Sequence, residues 1–187
     1  MSIYNPLWHY AITVYQRPGV EAQCLALQMQ GLSVNRLLLC CWLAQTGRRL
    51  QPGQLAAAEH WQASILQPLR AIRYQVRSMR EGEELSECYQ QLKRAELAAE
   101  QVEIMQLWQC SSSGHASGVT GGAADGTAED TEQEPLKLAR QNINTYLAQL
   151  GQAPSTECLT EVERLLGLAF PATGCDDRPP EIDQNEL

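Results

Sequence analysis

The sequence predicts an all-α fold: a helical bundle in which a long antiparallel hairpin (about 54–80 and 83–109) packs on three shorter N-terminal helices. Three observations carry this. Phe occurs once and Val and Ile are sparse, while Leu, Ala and Gln dominate, which favours helix over strand on intrinsic propensity. Helix start and stop residues fall at plausible intervals along the first 47 residues. Between Gln54 and Gln109, two apolar seams of helical period flank Glu81-Gly82.

Taken in order, Asn5-Pro6 offers an N-cap followed by Pro at the first helical position. Leu7, Trp8, Ala11, Ile12 and Tyr15 then recur on one face, and Pro18-Gly19 closes the helix. Pro18 is expected to open the next, running to Gly31. Ser33 is placed to cap a third, from Val34 to about Thr46, with Gly47 as its stop. Leu37 to Ala44 is apolar on every side, so this helix should be buried all round and form the centre of the core.

In the hairpin, Ile65, Leu69, Ile72, Val76 and Met79 form one seam, and Leu85, Cys88, Leu92, Ala95, Ala99 and Val102 the other. A tight turn sets Met79 against Leu85, Val76 against Cys88, Ile72 against Leu92, Leu69 against Ala95 and Ile65 against Ala99. Pro68 removes a backbone bond inside the first helix and predicts a kink near Ser64 to Gln67.

The remainder differs in composition. Residues 1–110 carry 10 Lys and Arg against 9 Asp and Glu, whereas residues 111–187 carry 4 against 13, so the acidity of the chain resides in its C-terminal part. Residues 111–134 are mostly Ser, Gly, Ala, Thr, Asp and Glu, with Val119 as the one large aliphatic residue, and read as a disordered linker. Residues 135–170 read as an amphipathic helical extension: Pro135 starts a helix carrying Leu136, Ala139, Ile143, Leu147 and Leu150, and a shorter one carries Leu159, Val162, Leu165 and Leu166. These helices either dock back on the hairpin or await a partner. Residues 171–187 read as a disordered acidic tail.

Several function classes find no support. The composition, 44% hydrophobic and 19% charged, is too apolar for wholesale disorder, and no apolar run reaches the roughly 20 residues of a membrane span. Without a visible secretory signal, and with seven cysteines that include no C-x-x-C pair, the expected location is the cytoplasm. Cys40 and Cys41 sit in the apolar helix, where burial opposes a nucleophilic role. His9 and His60 have no carboxylate or Cys at ligand spacing, and His115 lies in the linker, so no metal is expected. There is no G-x-S-x-G, Gly-rich phosphate loop or H-E-x-x-H; neither catalytic residues nor a cofactor are expected. The near-neutral helical part, with no nucleic-acid motif, disfavours DNA and RNA as partners.

Two groups stand out. Arg70, Arg73, Arg77 and Arg80 share a helix flank. The seam register sets Arg80 by Glu84 and Arg77 by Glu87, but Arg70 opposite Arg94 and Arg73 near Gln91, an end with no counterion on the hairpin. Arg70, Arg73 and Arg94 are therefore the candidate residues for an anionic ligand or an acidic partner. Such arginines on a surface are otherwise a solvated, partly paired face. Asn35 and Arg36 open the apolar third helix; they are either a solvent-exposed first turn or a polar patch at the mouth of the bundle. Trp42 belongs to the core, Trp8 and Trp61 to its edge, and Trp108 to the end of the hairpin.

The first 45 residues resemble an uncharacterised family of small proteobacterial helical proteins. The residues that carry the likeness are Asn5-Pro6-Leu7-Trp8, Tyr15 with Pro18-Gly19-Val20, Leu27-Gln28, and Val34-Asn35 leading into Leu37-Leu38-Leu39-Cys40-Cys41-Trp42-Leu43. It continues more weakly through the hairpin and fades after residue 110. The resemblance implies a bacterial, cytosolic helical protein and brings no assigned activity with it. The leading functional expectation is thus a non-enzymatic interaction or adaptor protein, with the helix at 135–150 binding a partner protein in a groove. The alternatives are a protein, with or without enzymatic activity, that binds a small anionic ligand through the arginine cluster, and self-assembly through the outer face of the hairpin.

Overall fold

A computed structural model describes residues 4–51, 53–79, 83–112, 128–151 and 153–171. They form α1 (Pro6–Tyr15), α2 (Val20–Met29), α3 (Val34–Gln45), α4 (Ala56–Trp61), a π-helical turn (Gln62–Leu66), α5 (Gln67–Ser78), α6 (Glu83–Ser112), α7 (Ala128–Gln149) and α8 (Thr156–Ala169). No strand occurs among the described residues, and the helices pack as one all-α bundle. None of these helices is long and apolar enough to cross a membrane.

The centre is α3. Every side chain from Asn35 to Ala44 is buried, because α1, α2, α6 and α7 together surround a helix that has no polar face to offer water after its first turn. Asn5 Oδ1 caps α1 by accepting from the Trp8 N–H at 2.9 Å, with Pro6 following it. Helix α2 opens at Val20 rather than Pro18, after Gly19 takes a left-handed φ of 85°. Ser33 precedes α3 as expected, yet its hydroxyl makes no capping bond; instead its backbone N–H donates to the Tyr146 hydroxyl at 3.0 Å.

The C-terminal helices dock within the chain, on α3 and α2 rather than on the hairpin as expected. Helix α7 lies along α3 through Ala139, Ile143, Tyr146 and Leu147, and α8 lies against α2 through Cys158, Val162, Leu165 and Leu166. Asn142 fastens α7: its amide donates to the carbonyls of Cys40 at 3.1 Å and Arg48 at 3.0 Å and accepts from the Leu50 N–H at 2.8 Å. Arg17 reaches the end of α8 and donates to the Ala169 carbonyl at 2.7 Å, a cation satisfying a C-terminal acceptor. Two boundaries differ from expectation. Helix α6 continues through Ser112, and α7 begins at Ala128, leaving Pro135 inside the helix. Residues 113–127 of the expected linker and 172–187 of the expected tail lie outside the described residues.

The hairpin is present, but with a different inner face. Pro68 has no N–H to bond the carbonyl four residues back. The backbone absorbs this as the π-helical turn, in which the Gln67 N–H bonds the Gln62 carbonyl. A wider turn rotates the following residues about the axis. The expected seam residues Ile65, Ile72 and Met79 are accordingly 38%, 46% and 63% exposed, while Leu66 and Arg70 are buried. On α6 the buried positions among the described side chains are Glu96, Ala99, Glu103, Ile104, Leu107 and Ser111, and Cys88 and Ala95 are exposed. Ala99 is shared with the expected seam, and Trp61 Nε1 donates to its carbonyl at 2.9 Å.

Candidate functional site

Glu96, Glu100 and Glu103 recur at intervals of four and three, so they share one face of α6. That face turns inward, and arginines from two other helices meet it. Arg70 donates from Nε to Glu96 at 3.1 Å and from Nη2 to Glu100 at 2.5 Å. Arg73 also hydrogen-bonds Glu96, and its guanidinium lies 4.4 Å from the centre of the Tyr74 ring. From α3, Asn35 Nδ2 donates to Glu103 Oε2 at 2.6 Å, and Arg36 Nε lies 3.9 Å from Glu103 Oε1. Three guanidinium groups thus face three carboxylates, a balance that offsets part of the cost of burying each.

The balance is uneven along the face. Burial pushes the Glu103 carboxyl above its ordinary range, against the Asn35 hydrogen bond and the Arg36 charge, which both favour the anion. Burial raises Glu100 as well, against the hydrogen bond and charge of Arg70. Arg36 Nε and Nη2 and Glu103 Oε1 are buried without a hydrogen-bond partner among the described residues. The Arg36–Glu103 end is therefore the looser part of the network, and the Arg70–Arg73–Glu96 end the tighter.

Beside this face opens a cleft of about 330 Å³ between α1, α3 and α6. Helix α1 supplies Trp8, Ala11, Ile12, Tyr15 and Gln16, α3 supplies Val34, Asn35 and Leu38, and α6 supplies Leu97, Glu100 and Ile104, with Gln28 of α2 at one side. The helical period accounts for the composition: Trp8, Ile12 and Tyr15 follow one stripe of α1, and Leu97, Glu100 and Ile104 one stripe of α6. The walls are apolar with a few polar groups, the usual make-up of a ligand site.

Arg70 and Arg73 thus meet internal carboxylates, which corrects the expectation that this end of the hairpin lacks a counterion. The π-helical turn explains the difference, since it brings α5 onto Glu96 and Glu100 instead of Arg94. Arg94 is exposed and stands outside the network; the expected Arg80–Glu84 pairing falls outside the described residues. Asn35 and Arg36 are buried, so the solvent-exposed first turn is corrected: both belong to the carboxylate network, and Asn35 also lines the cleft. The glutamates and the cleft were not singled out from the sequence. Their signal was the four-three spacing on α6 opposite the arginine flank.

Other candidates gather no chemistry. Cys24, Cys40 and Cys41 are buried free thiols, and burial pushes Cys24 and Cys41 up to about 12. His9 and His60 are exposed, and among the described residues no group of three His, Cys, Asp or Glu is placed to hold a metal ion.

The fold and site define an all-helical bundle with an internal arginine–glutamate network and an adjoining apolar cleft. A family model described as "Protein of unknown function (DUF2390)" matches residues 6–107, over half of the chain, and the chain belongs to that family. The match takes in α1 to α5 and most of α6, so both the network and the cleft lie within it, while α7 and α8 lie beyond. No curated protein and no solved structure matches the chain.

Proposed function

We propose that this protein is a non-enzymatic binding protein whose cleft between α1, α3 and α6 takes a small molecule with an apolar body. The observation that carries this is the cleft itself, about 330 Å³ with Trp8, Ile12, Tyr15, Leu38, Leu97 and Ile104 on its walls and Asn35 and Glu100 among them. Its volume lies in the range of small-ligand sites, and the hydrogen bonds of Asn35 and Glu100 to Glu103 and Arg70 hold two polar lining groups in place. The ligand is placed here and not at Arg70, Arg73 and Arg94, because the first two already have carboxylate partners. We assign it to the cytoplasm, in keeping with its free thiols.

A thermal-shift screen of small apolar molecules on the full chain tests this. Binding raises Tm through linkage to the folded state, and Ile12→Trp, which fills the mouth of the cleft, abolishes the shift. A screen without hits, or hits that survive Ile12→Trp, contradicts the proposal.

A second reading is a protein-interaction or adaptor role, or self-association. It is favoured by the exposed row Ile65, Ile72 and Met79 at seven-residue spacing on the outer side of the hairpin. The version in which helix 135–150 binds in trans loses its motive, since α7 has its apolar face on α3. Ile72→Glu leaves sedimentation and partner capture unchanged unless this row is an interface.

A further inference from the structure

We propose that the occupant of the cleft is an organic ammonium ion, a primary or substituted amine in its charged form, with an apolar or aromatic body. The inference deepens the binding reading above and rests on it. Among the cleft-lining residues, one carries formal charge, Glu100, and it is acidic; no Lys or Arg lines the walls. The surroundings of Glu100 give that charge a direction. Its side chain is 27% exposed, whereas that of Arg70, its ion-pair partner, is 7% exposed, so of the two Glu100 is the more open and it alone lines the cleft. Arg70 reaches Oε1, and a carboxylate has lone pairs on both oxygens to share with a second donor. Asn35, which also lines the cleft, spends its Nδ2 on Glu103 and keeps its amide oxygen as an acceptor.

The aromatic lining points the same way. Trp8 and Tyr15 stand on α1 across from Glu100 on α6, and a ring face attracts a cation that has lost part of its water. A carboxylate, an amide oxygen and two aromatic rings form a set that favours a cation over a neutral donor. An anion entering the same space would meet the Glu100 carboxylate with no cation on the walls to balance it. Within the network, Glu100 shares Arg70 with Glu96, which has Arg73 as well, so Glu100 holds the weaker share of positive charge.

The test is isothermal calorimetry on the full chain with a matched set: 2-phenylethylammonium, 2-phenylethanol and phenylacetate. The ammonium should bind about tenfold more tightly than the alcohol, and phenylacetate most weakly of the three. Glu100→Gln should bring the ammonium and the alcohol to within about twofold of each other. Because Glu100 also holds Arg70, a second variant at the exposed rim residue Leu97 guards against loss of folding. Leu97→Lys sets a cation at the mouth and should weaken the ammonium about fivefold more than it weakens the alcohol, so that the ratio of the two affinities reads the charge apart from the lost wall contact. If the alcohol or phenylacetate binds as tightly as the ammonium, or if Leu97→Lys leaves the ammonium unaffected, the ammonium inference is overturned while the cleft reading stands. If none of the three binds at about 10 mM, a generous limit for ligands of this size, the ammonium inference falls, and the cleft reading falls with it only where the apolar screen above is also without hits.

Discussion

Asn142 is buried in α7 with its amide fully engaged, joining that helix to the carbonyl of Cys40 and to the chain at Arg48 and Leu50. Replacing it by Leu keeps the branch at Cγ but enlarges the side chain and strands the Leu50 N–H and the Arg48 carbonyl. Urea denaturation should show Asn142→Leu less stable by about 3 kcal/mol, far more than a polar-to-apolar change at a helix surface. Glu103 is a different case, since its burial raises its pKa. An acid whose folded pKa lies above its unfolded value binds more protons when folded, so its contribution falls as pH rises. The window runs from the ordinary value of 4.5 up to the raised one. Glu103→Gln lacks this titration, and its stability relative to the parent should improve across that window when denaturation is followed at a series of pH values. A difference that is flat with pH would mean that Glu103 does not titrate this way.

At the scale of elements, the π-helical turn decides what the hairpin presents. The apolar periodicity of Ile65, Leu69, Ile72, Val76 and Met79 was legible, as was a break forced by Pro68. What could not be read was the form of the break, a widened turn in place of a simple kink, and its rotation of α5 brings Arg70 inside. Periodicity weighs apolar residues alone, so a face on which arginines meet glutamates looked like solvated surface. The grouping of Arg70 with Arg94 therefore separates sharply. Arg70→Ala leaves Glu96 and Glu100 short of a buried partner and should cost about 3–5 kcal/mol in chemical denaturation. Arg94→Ala should stay within about 0.5 kcal/mol, as expected for an exposed residue. Equal effects at the two positions would return Arg70 to the surface.

Over the whole molecule, the all-α class and the central place of α3 were legible because the run from Leu37 to Ala44 has no polar face. The docking of α7 and α8 was not, because an amphipathic stripe is the same whether it meets its own chain or another. Their buried residues, among them Ile143, Tyr146, Leu147, Val162, Leu165 and Leu166, close the faces of α3 and α2. At about 1.5–3 kcal/mol for each large side chain, this contribution is comparable with the net stability of a domain. A chain ended after residue 112 should consequently bind a hydrophobic dye and lose its cooperative melt. A sharp melt and no dye binding would show that α1 to α6 form a self-sufficient unit. The cleft, in contrast, is walled by α1, α2, α3 and α6 and takes nothing from α7 or α8.

The central claim is that this cleft is the binding site of the protein, and an NMR titration of the full, ¹⁵N-labelled chain with 2-phenylethylammonium tests it most directly. Shift changes should saturate and gather at residues 8–16 of α1, 34–38 of α3 and 97–104 of α6, with little change along α8. Changes that fail to saturate, or that gather on the Ile65–Ile72–Met79 side of the hairpin, would contradict it.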